Sequence, residues 1–246
     1  MSGISMIDEK QKKILSIVMA VILLVSMYFV ARESAAYVNA DKVISGKGGD
    51  SSEEICVVID AGHGGADPGK VGINGALEKD LNLQIANRLK KFLEAQDIKV
   101  VMTRTDEGGL YDENASNKKV QDMKRRIAII EEAQPKIVVS IHQNSYQEEY
   151  VHGAQVFYYT GSETGKALAK LIQNRFVINL DPENKREAKA NDSYYLLKKT
   201  SVPIVIVECG FLSNREEAEK LKTEVYQEKA AWAVHMGVLQ YLNSQK

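Results

Sequence analysis

Beyond residue 54 the chain reads as short apolar runs, rich in β-branched residues, alternating with stretches of helical period. Ile55 to Ile59, Val100 to Thr103, Ile137 to Ile141, Val156 to Tyr159 and Ile204 to Val207 predict buried strands. Such runs lack polar alternation and therefore need cover on both faces. Leu81, Ile85, Leu89, Phe92 and Leu93 share one helical face, as do Leu168, Leu171, Ile172 and Phe176, and a last helix is expected near Lys229 to Leu242. The pattern predicts an α/β single domain over 55–246, with a mostly parallel central sheet flanked by helices on both faces.

The N-terminal pattern is different. Lys10, Lys12 and Lys13 precede an uncharged apolar run from Ile14 to Val30, closed by Arg32. A span needs ~17 to 25 residues, so one N-terminal transmembrane helix is expected over 14–31. A retained anchor is expected, with Ser34 and Ala36 offering a cleavage site for the alternative, a secreted protein whose signal has been removed. The lysines place residues 1–13 in the cytoplasm and everything after the span outside it. Residues 32–54 turn polar and end in Ser45-Gly46-Lys47-Gly48-Gly49-Asp50-Ser51-Ser52, which predicts a linker.

Composition narrows the function by exclusion. The 246 residues carry 32 basic and 33 acidic side chains, a net charge of -1, so there is no basic field for a nucleic-acid partner. Cys56 and Cys209 both sit in apolar runs and are expected to pack as small hydrophobes, with no disulfide framework or paired-cysteine motif.

The chemistry gathers where the strands end, the usual ligand edge of an open α/β sheet. The first strand runs into Asp60-Ala61-Gly62-His63-Gly64-Gly65, whose glycines permit a sharp turn beside the imidazole, and the third runs into His142. Two of the chain's four histidines at matched strand ends suit zinc. A third ligand is needed, and Glu78 at the start of the first helix is a candidate. Asp80 is equally available, and an acidic first turn has an ordinary explanation in the helix dipole. The last core strand ends in Glu208-Cys209-Gly210-Phe211-Leu212-Ser213-Asn214. A carboxyl in that apolar setting is raised towards neutrality, which suits one group acting first as base and then as acid in metal-assisted hydrolysis. Its competing role as a cap is covered by Ser213 and Asn214. His152 and His235 are expected to be structural or surface residues.

Four motifs, in order, carry a family resemblance: Asp60 to Gly65, Glu78-Lys79-Asp80-Leu81, Ser140-Ile141-His142-Gln143-Asn144 and Val207 to Asn214. Together they resemble the zinc-dependent N-acetylmuramoyl-L-alanine amidases of the amidase 3 group, from about Ile55 to near the C-terminus. The resemblance implies Zn2+ as cofactor, with His63, Glu78 and His142 as metal ligands and Glu208 as the catalytic glutamate. It also implies peptidoglycan as substrate, cut at the amide between N-acetylmuramic acid and L-alanine. Gln143 and Ser145 stand where the family often carries alanines, and Cys209 where it often carries an aliphatic residue.

One anchor, a short linker and a lone domain are similar to the germination-specific, CwlD-type members of spore-forming bacteria. That layout implies a role in spore cortex maturation through muramic δ-lactam formation, attachment to the cell membrane or forespore envelope, and an accessory membrane or wall protein as partner. Two other readings remain at this point: a non-catalytic peptidoglycan-binding module on the same fold, and a thiol hydrolase using Cys209.

Overall fold

The computed structural model describes residues 54–245 and, nearer the N-terminus, Lys10, Leu15, Val18, Met19, 21–23 and 25–27. The chain divides into two compact units, Met1–Glu53 and Glu54–Lys246. In the first, the described positions are helical and their apolar side chains, such as Ile22, Leu23 and Met27, are exposed. Half of the expected membrane segment lies outside the described residues, and the linker almost wholly so. Among the described residues no helix is long and apolar enough to cross a membrane.

The second unit is an α/β domain whose six strands lie in the order β2-β1-β3-β6-β4-β5. The strands are β1 (Cys56–Ala61), β2 (Lys99–Met102), β3 (Ile137–Asn144), β4 (Gln155–Tyr159), β5 (Lys189–Asn191) and β6 (Ile204–Phe211). Every pairing is parallel except β4 with β6. The helices are α1 (Glu78–Glu94), α2 (Lys118–Ala133), α3 (Glu163–Asn179), α4 (Tyr195–Lys199), α5 (Arg215–Leu221) and α6 (Glu224–Ser244).

Strand alternation builds two cores. Val57, Ile59, Val139, Ile141, Val205 and Val207 meet the apolar stripes of α1, α3 and α6, while Val58, Val138, Ile204 and Ile206 meet Ile130 of α2 and Leu196 and Leu197 of α4. In α1 the stripe Leu81, Ile85, Leu89 and Leu93 is buried along its length, each side chain contributing roughly 1.5–3 kcal/mol by leaving water. Gly237 in α6 weakens its helix intrinsically, by about 1 kcal/mol against alanine, but a Cβ there would lie 2.7 Å from Ile172 Cα, so glycine lets α6 and α3 approach closely.

The expected strands are all present, some longer than the apolar runs. β3 continues through His142, and β6 through Glu208 to Phe211. The elements that the apolar pattern did not assign include α2, α4 and β5. In α2, Asp122 and Arg126 are buried beside an apolar stripe of Met123, Ile127 and Ile130 that packs on the smaller core.

Candidate metal centre

The loop leaving β1 is held by its backbone carbonyls. Arg104 donates to the carbonyls of Ala61 (2.8 Å), Gly62 (3.1 Å) and Lys79 (2.7 Å). Arg126 donates to those of Ala61 (2.8 Å) and His63 (2.6 Å), and Asn82 of α1 also donates to Gly62 (3.1 Å). These bonds fix a turn in which His63 takes a left-handed φ of 63°, a conformation that costs a residue with a side chain and persists only where surroundings enforce it. Gly62 serves a different purpose: a Cβ there would fall inside the imidazole of His142.

Beneath the loop lies Asp60, wholly buried on the α2 side of β1. It accepts hydrogen bonds from Ser140 Oγ (2.5 Å), Thr103 Oγ1 (2.7 Å) and Arg126 Nη1 (2.6 Å). Burial works against its ionisation, but the Arg126 charge and the hydroxyl donors outweigh it and hold the carboxyl at about 2.

Three side chains converge above this platform. Glu78 Oε1 lies 3.2 Å from His63 Nε2 and 2.9 Å from His142 Nδ1, and the two imidazoles meet edge to face with centroids 5.0 Å apart. The ligating atoms of the three all lie within 4.8 Å of one another. The Glu78 carboxylate does not serve its own helix: Oε2 accepts from the Lys70 amide (2.7 Å) and Oε1 from the Gln143 amide (3.1 Å). Asp80 stays outside the cluster.

His63 is oriented by a further contact. Asp67 Oδ2 sits 3.0 Å from His63 Nδ1, which makes that nitrogen a donor and leaves Nε2, on the Glu78 side, as the atom that would ligate a metal. Burial disfavours the charged form of His63, yet Glu78 and Asp67 raise its pKa above the ordinary value. Glu78 is driven far below the carboxylate range by the two histidines, against burial. Two imidazoles and a carboxylate turned toward one point form the donor set of a catalytic zinc site, so these residues fit the ion the sequence implies.

Glu208 faces His142 across the β3–β6 ladder, where the two are register partners on the same sheet face. Burial raises its carboxyl to about 7, with His142 pulling down and Glu78 pushing up. Tyr194 Oη donates weakly to Oε1 (3.4 Å), and Oε2 has no hydrogen-bond partner. Capping is done elsewhere: Asn214 accepts from the Glu217 amide at the start of α5 (2.9 Å). Cys209 points to the opposite face, into the main core, where burial and the neighbouring Glu208 push its thiol far up. A protonated buried thiol is no nucleophile, and both cysteines are free.

The other two histidines lie apart from the centre. His152 lines a separate pocket with Glu217 and Lys220. His235 is buried in α6 against Trp232 and Phe92. Beside the centre runs a cleft of about 390 Å³, lined in part by His63, His142, Tyr111, Met123, Tyr194 and Leu196.

A protein-family model described as N-acetylmuramoyl-L-alanine amidase, Amidase_3, matches residues 57–240. The germination-specific N-acetylmuramoyl-L-alanine amidase of Bacillus subtilis (strain 168) is 36% identical over 188 residues, which span 75% of this chain and 78% of that protein. Among solved structures, the CwlD amidase from Clostridioides difficile, in complex with the GerS lipoprotein, superposes with a TM-score of 0.75 at 39% identity, covering 77% of this chain and 99% of that one. The amidase AmiC2 of Nostoc punctiforme gives a TM-score of 0.69 at 34% identity, covering 78% and 99% respectively.

Proposed function

The chain belongs to the N-acetylmuramoyl-L-alanine amidase family, and on that premise we propose that it cuts its substrate with zinc held by His63, Glu78 and His142 and with Glu208 as general base and acid. Its activity is that of a hydrolase on the amide between N-acetylmuramic acid and L-alanine in peptidoglycan. The observation that carries the residue assignment is the convergence of two imidazoles on one Glu78 oxygen, beside a buried carboxyl with an unpaired oxygen.

When bound, zinc supplies Lewis acidity, polarising the scissile carbonyl and acidifying a water. Glu208 takes a proton from the attacking water at Oε2 as the oxygen joins the muramoyl carbonyl carbon. It returns that proton to the alanine nitrogen as the carbon–nitrogen bond breaks. A carboxyl poised at about 7 can do both near neutrality. Asp67 keeps His63 in one tautomer, and Arg104 and Arg126 hold the loop that carries it. A binding module would gain nothing from burying an unpaired acid, which disfavours that reading.

Stripping metal from the full chain in detergent is expected to abolish release of new L-alanine amino termini from peptidoglycan, and added zinc to restore it. Undiminished release from protein shown to be metal-free would rule out the metal assignment.

The similarity to germination-specific amidases supports a role in spore cortex maturation, with residues 14–31 as the anchor, 32–54 as the linker and 55–246 as an extracytoplasmic catalytic domain. The exposed apolar side chains near the N-terminus support membrane attachment. The C. difficile amidase complexed with a lipoprotein supports an accessory protein partner. The chain is then expected in the salt-washed membrane fraction, co-purifying with a second protein, and its deletion in a spore-former should deplete cortex muramic δ-lactam. Recovery of the chain alone and soluble, with lactam unchanged, would contradict this placement.

A further inference from the structure

Among the described residues, one cation of the cleft beside the metal centre lacks an ion partner. Of its lining carboxylates, Asp67 is engaged by His63, while Asp60 and Asp122 are both engaged by Arg126, at 2.6 Å in each case. Of its two lining lysines, Lys118 is engaged by Glu113 (2.8 Å) and lies over the Tyr111 ring. Lys119 lines the same cleft, and its charge helps depress Asp67. It has no hydrogen bond or ion pair among the described residues. The rest of the wall, with Met123, Leu196 and Tyr194, is apolar, and Lys119 stands exposed at the rim, its ammonium open to a ligand entering the cleft.

We infer that this cleft takes the stem peptide and that Lys119 selects peptides carrying a free carboxylate on the residue after L-alanine over their amidated counterparts. The inference rests on the amidase reading above and adds to it a substrate class. The cleft lining includes His63 and His142, beside which the amidase reading puts the scissile amide, so the cleft is within reach of the peptide beyond the alanine. Its volume lies within the range of small-ligand sites. A γ-linked glutamate following the alanine would offer either a carboxylate, which pairs with Lys119, or a carboxamide, which leaves the ammonium without its ion partner.

The test compares two muropeptides, muramoyl-L-Ala-γ-D-Glu and its α-amide, on the zinc-loaded full chain, with calorimetric binding of the two released dipeptides alongside. The expected preference in kcat/KM for the carboxylate is roughly tenfold, expressed in KM. It should collapse toward unity in Lys119→Ala, persist in Lys119→Arg and reverse in Lys119→Glu. Cleavage of both muropeptides at equal kcat/KM, or a preference that survives Lys119→Ala, overturns the inference while leaving the amidase reading intact. Selective dipeptide binding without cleavage upholds the cleft and overturns the chemistry, and neither binding nor cleavage overturns both.

Discussion

Glu208→Gln is expected to leave the protein folded and able to hold zinc but to lower kcat on peptidoglycan by about 10²–10⁴, the usual contribution of a positioned acid–base group. The amide keeps the shape of the side chain and its fit against Tyr194, but it can neither accept the water proton nor return it to the alanine nitrogen. The same substitution changes stability in the opposite direction. The folded-state pKa of Glu208, about 7, lies above the ordinary carboxyl value of 4.5. The contribution of this buried carboxyl is therefore most favourable below about 4.5, where it is protonated in both states, and is lost as pH rises through 7. Displacement over that interval corresponds to about 3 kcal/mol. Metal-free Glu208→Gln should accordingly be more stable than the metal-free parent at pH 8, by up to that amount, and no more stable at pH 4. Urea unfolding at the two pH values reads the difference, and single-turnover assays with measured zinc content read the chemistry. A variant that keeps zinc and turns over within tenfold of the parent would remove Glu208 from the mechanism.

A gain in stability on removing a functional group marks a site held against its folding preference, and it bears on what the sequence could reveal. His63, His142 and Glu208 were legible because each follows a buried apolar run, and in a parallel sheet such runs deliver their ends to one edge. The ladder then places His142 and Glu208 side by side. Glu78 was ambiguous, since a first-turn carboxylate satisfies the helix dipole equally well. The family resemblance favoured Glu78, and the fold gives the physical reason, since the Lys70 and Gln143 amides turn onto its oxygens and Asp80 stays outside the cluster. What the chain concealed was the support. Helix α2 packs an apolar stripe of Met123, Ile127 and Ile130 on the smaller core, but the Asp122 and Arg126 buried beside it look like surface charges in the sequence and hide their role. Asp60 stood inside a recognised motif, yet its partners Ser140, Thr103 and Arg126 come from three separate elements and no spacing rule unites them. Lys118 and Lys119 open that same unrecognised helix, so the wall of the cleft went unread with it.

Arg126→Met tests how much of the site rests on that hidden support, and a loss of about 3–5 kcal/mol is expected, the cost of removing one partner from a buried ion pair. Methionine approximates the volume, so packing changes little. What is left is Asp60, wholly buried with only hydroxyl donors, and a His63 carbonyl without its 2.6 Å partner. In a domain of this size the melting temperature should fall by roughly 10 °C. The loss has a pH signature with a definite sign. In the parent, Asp60 is held at about 2, below its ordinary 3.8, so it contributes stability that is present above 3.8 and disappears as pH falls through 2. Without the guanidinium, burial dominates and the carboxyl titrates above 3.8. The variant therefore recovers relative to the parent as pH drops from 7 to 4, because its Asp60 takes up a proton. Adding Asp60→Asn to Arg126→Met should restore part of the loss at pH 7, giving a coupling energy between the two sites that single substitutions at unlinked positions would not show. Zinc affinity is expected to fall alongside stability, since the turn presenting His63 loses one of the donors that enforce its left-handed backbone. A melting temperature within about 2 °C of the parent at pH 7, with zinc affinity unchanged, would mean that Arg104 and Asn82 alone hold the turn and that the Asp60–Arg126 pair supports the sheet rather than the metal centre.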